Sequence, residues 1–117
     1  MARLYMEGPY RLTNEKIDEV VTKISPGNYA LGNISNDEFY VYYVGRSDYN
    51  LNDRLTTWVD ENDKYKYFKF SYASSIKEAF EKECRNYHDF GESEELDNEK
   101  HPKCPDGENW KCPVCGE

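Results

Sequence analysis

Long apolar runs are missing from this 117-residue chain, and so is any excess of positive charge. No stretch approaches the roughly 20 apolar residues that a membrane-spanning helix needs. The first ten residues, MARLYMEGPY, lack the apolar centre of a secretory leader. Both absences point to a cytoplasmic protein without a membrane partner. Cysteine is scarce, four in all, and without a secretory signal such cysteines suggest metal ligands or free thiols rather than disulfides. The net charge of −8 removes any general attraction to a phosphate backbone. The deficit is uneven: residues 1–45 carry −2, residues 46–84 carry −1 and residues 85–117 carry −5. A local basic site in the near-neutral middle therefore stays open. Aliphatic residues are few enough that the core must lean on Phe and on the 11 tyrosines, whose rings pack while their hydroxyls hydrogen-bond. Repeats are absent, and the length suits one domain.

What is present centres on Phe39 to Arg54, FYVYYVGRSDYNLNDR. The aromatic and β-branched opening predicts a strand buried on both faces. It breaks at Gly45, crosses a polar link and enters a helix near Asn52 with Arg54 on its first turn. Upstream, residues 1–12 read as an extended lead-in. Thr13 or Asn14 caps a helix with Ile17, Val20, Val21 and Ile24 at helical spacing, stopped by Ser25-Pro26-Gly27. A short strand from Asn28 to Leu31 follows, and Gly32-Asn33 begins the turn into the central strand, a connection short enough to require antiparallel pairing. Downstream, Lys64 to Tyr72 alternates as a third strand, and Ser74 or Ser75 caps a helix from about Ile76 to Phe90. Glu83 stands out on the inward stripe of that helix, because a carboxylate facing a core requires a partner, a metal or water. The expected fold is thus a small α/β (α+β) domain, a three-stranded antiparallel sheet flanked by helices.

Gly27-Asn28-Tyr29 on one strand and Tyr43-Val44-Gly45 on the next resemble the paired signature of the GIY-YIG endonuclease family. Arg54 on the first helix after the second motif, Glu83 in an Ala-x-x-x-Glu pattern and the late Asn98 follow in the family's order. The likeness spans roughly residues 26 to 98. Asn28 replaces an aliphatic residue, and Trp58 stands where many members carry histidine. The resemblance implies a metal-dependent endonuclease that hydrolyses DNA phosphodiesters, with RNA not excluded. In it Tyr29 is the general base, Tyr43 positions water or phosphate, and Tyr29, Tyr43, Arg54, Glu83 and Asn98 form the catalytic set. The residue chemistry agrees: a lone carboxylate such as Glu83 can hold one Mg²⁺ or Mn²⁺ that borrows ligands from substrate, and the Arg54 fork matches phosphate oxygens. Arg46 and Lys69 are candidates for substrate-backbone contacts. Taken singly, the tyrosines also fit a core, Arg54 an ion pair with Asp48 or Asp53, and Glu83 a helix-surface charge. The competing class is a binding module for nucleic acid or protein that keeps the fold without turnover. The modest basic charge suggests weak sequence preference or selectivity for distorted DNA, with a protein partner supplying affinity.

The tail carries the second signal. Cys112-Pro-Val-Cys115-Gly is a zinc-knuckle pattern, whose two thiolates can share one structural Zn²⁺. Cys84 and His88, i and i+4 on one helix, are the favoured remaining ligands because a helix pair costs less ordering than a loose tail pair. His101 and Cys104 are the alternatives. The expected organisation is a nuclease-like domain over residues 1–98 and a zinc-binding tail over 99–117, packed on it.

Overall fold

A computed structural model describes residues 4–116. In chain order the elements are β1 (Glu7–Arg11), α1 (Asn14–Val20), β2 (Gly27–Ser35), β3 (Glu38–Ser47), α2 (Leu51–Glu61), β4 (Tyr67–Tyr72), α3 (Ile76–Asp89) and α4 (Glu92–Glu95). The four strands form one antiparallel sheet in the order β1-β4-β2-β3. The sheet is therefore larger than the three strands expected. The extra one comes from the lead-in, where Tyr10 and Arg11 pair with Phe68 and Tyr67 across a register shift. Among the described residues no helix is long and apolar enough to cross a membrane.

The strand buried on both faces is β2, not the aromatic β3. Residues 27–32 of β2 are all buried, while β3 forms the outer edge and exposes alternate side chains. Period-two geometry divides the β2 side chains between two cores. Tyr29 and Leu31 face Ile17, Leu51, Leu55, Phe68 and Phe70, the core beneath α1 and α2. Ala30 faces Val44, Tyr87 and Leu96, the core beneath α3.

Three boundaries move for identifiable reasons. The helix α1 stops at Val20 because the Tyr72 hydroxyl accepts from the Thr22 and Lys23 amides at 2.9 and 3.2 Å, which leaves Ile24 exposed. Gly32 sits inside β2, not in a turn, beside a bulge that makes Tyr42 an extra residue on β3. A Cβ at Gly32 would lie 1.9 Å from the Tyr40 carbonyl oxygen, so glycine is what permits this close approach. The turn between the strands falls at Asn36 and Asp37, both with positive φ, a backbone that Asn and Asp tolerate better than most residues.

Candidate functional site

Tyr29 and Gly45 are cross-strand partners on β2 and β3. A Cβ on Gly45 would come within 2.5 Å of the Tyr29 hydroxyl oxygen, so the absent side chain is what lets the Tyr29 ring lie across the neighbouring strand. Beyond Gly45 the edge strand ends, and the link to α2 opens a cleft of about 570 Å³. Asn50 caps α2, its side chain accepting from the Asp53 amide, and this sets Arg54 on the first turn at the cleft. From the other face of the sheet, α3 brings Glu83. Tyr29, Tyr43, Arg46, Arg54 and Glu83, remote in sequence, all line this one concavity.

Their electrostatics differ. Arg54 is exposed and makes no ion pair among the described residues. Arg46 is fully engaged. Its Nε donates to Asp48 at 2.8 Å, one terminal nitrogen donates to Glu83 Oε1 at 2.5 Å, and the other donates to the Lys103 carbonyl at 2.7 Å. Its guanidinium also lies over the Phe80 ring. Burial pushes the Glu83 carboxyl up from its ordinary range, against the pull of Arg46. Glu83 uses Oε1 for Arg46, which leaves Oε2 without a protein partner among the described residues.

Burial also raises the Tyr29 phenol well above its ordinary value, because taking a phenolate out of water costs more than Arg54 returns. The largest opposing influence is Trp58, whose indole N–H donates to the Tyr29 oxygen at 2.8 Å. Tyr43 is raised in the same way, by burial and by the Glu83 charge, and its ring packs on Trp58 at 4.8 Å between centroids. Trp58 thus connects both phenols, a role that its sequence position, notable only for tryptophan standing where histidine was expected, did not reveal.

Asn98 and Lys69 stand elsewhere. The buried amide of Asn98 donates to the Val44 carbonyl at 2.7 Å and accepts from the Val44 amide at 3.0 Å, completing the outer edge of β3. Lys69 pairs with Ala30 in the sheet, hence faces the opposite side from Tyr29, and its ammonium lies over the Phe39 ring. Asn28 was the odd member of the first motif. Its Nδ2 donates at 2.8 Å to the carbonyl of Ala79, the residue one helical turn before Glu83. This buried amide therefore pins α3 to β2 at the turn that carries the carboxylate.

A second cluster lies in the tail. His88, His101, Cys112 and Cys115 place one ligand atom each within 4.8 Å of one another, so this His₂Cys₂ group can hold a metal ion. Each imidazole is oriented for it. His88 Nδ1 bonds the Glu92 carboxylate at 2.5 Å, and His101 Nδ1 bonds the Pro102 carbonyl at 2.8 Å. Both partners only accept, so the protons sit on Nδ1 and both Nε2 atoms are turned to ligation. His88 Nε2 is buried without a hydrogen bond, and His101 Nε2 lies 3.4 Å from Cys115 Sγ. Burial raises the Cys112 thiol, but the Cys115 and Val114 amides with His101 and Cys84 outweigh it, and its pKa falls. Cys84 is not in the group. It is fully buried with Phe80 and Cys112, and Cys104 packs against that apolar cluster. His101 takes the place expected for Cys84, because the tail folds back at the level of Tyr87 and His88, with the His101 ring 5.5 Å from Tyr87 and 5.1 Å from His88.

Searches against protein-family models, curated proteins and solved structures find no match for this chain.

Proposed function

We propose that this chain is a metal-dependent endonuclease of the GIY-YIG kind that hydrolyses DNA phosphodiesters. The observation that carries the reading is the meeting of two phenols, one unpaired guanidinium and one carboxylate on a single cleft. Phosphodiester hydrolysis calls for an activated water and for donors at the phosphoryl oxygens. Arg54 supplies the donors as an uncommitted fork. Tyr29 is the proposed base, with its oxygen held by the Trp58 N–H, which stabilises the phenolate. Tyr43, packed on the same indole, orients the water or the phosphate. Glu83 has an oxygen to spare and fits one Mg²⁺ or Mn²⁺ that keeps most of its waters. When bound, such an ion supplies Lewis-acid stabilisation of developing charge. The tail group suits Zn²⁺ in a closed structural site, since two thiolates and two imidazoles fill a tetrahedral shell.

One observation favours the binding module over the enzyme: Arg46 already occupies Glu83, which a catalytic cation would have to share. The same experiment separates the two. Supercoiled plasmid and RNA are each incubated with the protein and Mg²⁺ or Mn²⁺, beside Glu83→Ala and Arg54→Ala. Plasmid nicking by the wild type, lowered at least about 100-fold in both variants, is the expected result. Intact plasmid with retained DNA binding assigns the module, and cleavage of the RNA alone transfers the chemistry to that substrate.

A further inference from the structure

The cleft has three cations on its walls, and only two are available to a ligand. Arg46 is a strut, each of its three nitrogens already donating, to Asp48, Glu83 and the Lys103 carbonyl. Arg54 comes from α2. The third, Lys103, comes from the tail and lines the same cleft. Its ammonium is not committed: its side chain is 87% exposed, and its ion-pair partner is the still more exposed Asp106 at 3.8 Å. A pair of that kind contributes little and yields readily to a stronger anion.

The backbone of Lys103, by contrast, is held on every side. His101, two residues earlier, belongs to the His₂Cys₂ group. Cys104, one residue later, packs on the Phe80, Cys84 and Cys112 cluster. Between them the Lys103 carbonyl accepts from Arg46. A flexible ammonium on a fixed base is the arrangement of a phosphate contact.

We propose that Lys103, delivered by the metal-clasped tail, is a phosphate-binding cation of the cleft, so that metal loading of the tail sets affinity for nucleic acid. The inference rests on the nuclease reading and deepens it: the tail becomes part of the substrate site. An ion would bond His101 and His88 together where otherwise only ring packing and hydrogen bonds hold them, and so stiffen the base of the lysine.

Fluorescence anisotropy of a labelled short DNA duplex, titrated with the full chain across a range of salt, tests this without turnover. The proteins are the wild type, Lys103→Gln, Lys111→Gln as a tail-charge control, and wild type stripped of metal. Each phosphate contact adds about one to the slope of log affinity against log salt. Lys103→Gln and the stripped protein should each lose about one unit of slope and bind several-fold more weakly at low salt, while Lys111→Gln should match the wild type. Equal slopes for Lys103→Gln and wild type overturn the inference and leave the nuclease reading standing. An equal loss in Lys111→Gln also overturns it, because net charge alone would then explain the change. No binding by the wild type overturns both readings together.

Discussion

Trp58 decides how the Tyr29 phenol behaves. The ring of Tyr29 is buried under α2, and burial drives its proton affinity up. The indole N–H pulls the other way by donating to the phenol oxygen. A neutral hydrogen bond contributes about 1 kcal/mol, which is close to the 1.36 kcal/mol that one pKa unit represents. Replacing the indole with a ring that lacks the donor therefore raises the phenol pKa further. The phenol titrates far above neutrality, so at every assayable pH less phenolate is then present and nicking falls. Trp58→Phe should nick several-fold to about tenfold more slowly near neutrality, while Trp58→His restores a ring N–H and part of the rate. A Trp58→His variant that nicks no faster than Trp58→Phe would show that the indole only packs.

Elements were legible where their signals were local, and obscure where a partner decided the outcome. The caps Thr13 and Ser75, each one of two adjacent candidates, the stripe of α3 and the alternation of β4 could be read directly, whereas the cap of α2 lies at Asn50, earlier than the expected start near Asn52. In contrast, Gly32-Asn33 carries turn chemistry yet forms a bulge, since only the neighbouring Tyr40 carbonyl reveals why a glycine is needed. The run FYVYYV is aromatic on both faces, so its pattern could not place β3 at an edge. The edge is closed by the segment after α4: the Asp97 amide donates to the Tyr42 carbonyl at 2.6 Å, and Asn98 takes both polar groups of Val44. Sequence order put Asn98 among the site residues, whereas its contacts make it a strand cap. Asn98→Ala would leave two buried backbone groups unpaired, at about 1–3 kcal/mol each. We expect a lower denaturation midpoint and unchanged nicking per folded molecule well below it. A stably folded Asn98→Ala that no longer nicks would return the residue to the catalytic set.

The whole molecule is two cores and a clasp. The core beneath α1 and α2 draws no residue from beyond β4, whereas the inner face of α3 near Phe80 and Cys84 is covered by Cys104, Trp110 and Cys112 of the tail. Residues 99–117 carry four acidic side chains against three lysines, so charge gives the tail little reason to lie near Glu83 unless contacts hold it there. The His₂Cys₂ group can supply such a contact by holding an ion between His88 of α3 and His101, Cys112 and Cys115. An ion that binds the folded arrangement and not the loose one adds its binding energy to stability. Chelation should therefore lower the melting temperature by about 4–8 °C for each kcal/mol lost, and make the segment after Asn98 sensitive to protease while the sheet persists. Metal content separates the two possible ligand sets. His101→Ala and Cys115→Ser should lose the ion. Cys84→Ser should retain it, because Cys84 stands outside the group and serine keeps a donor toward Cys112 while losing packing on Phe80. If Cys84→Ser releases the ion and His101→Ala does not, then the helix pair Cys84 and His88 is the true clasp and the tail closes differently.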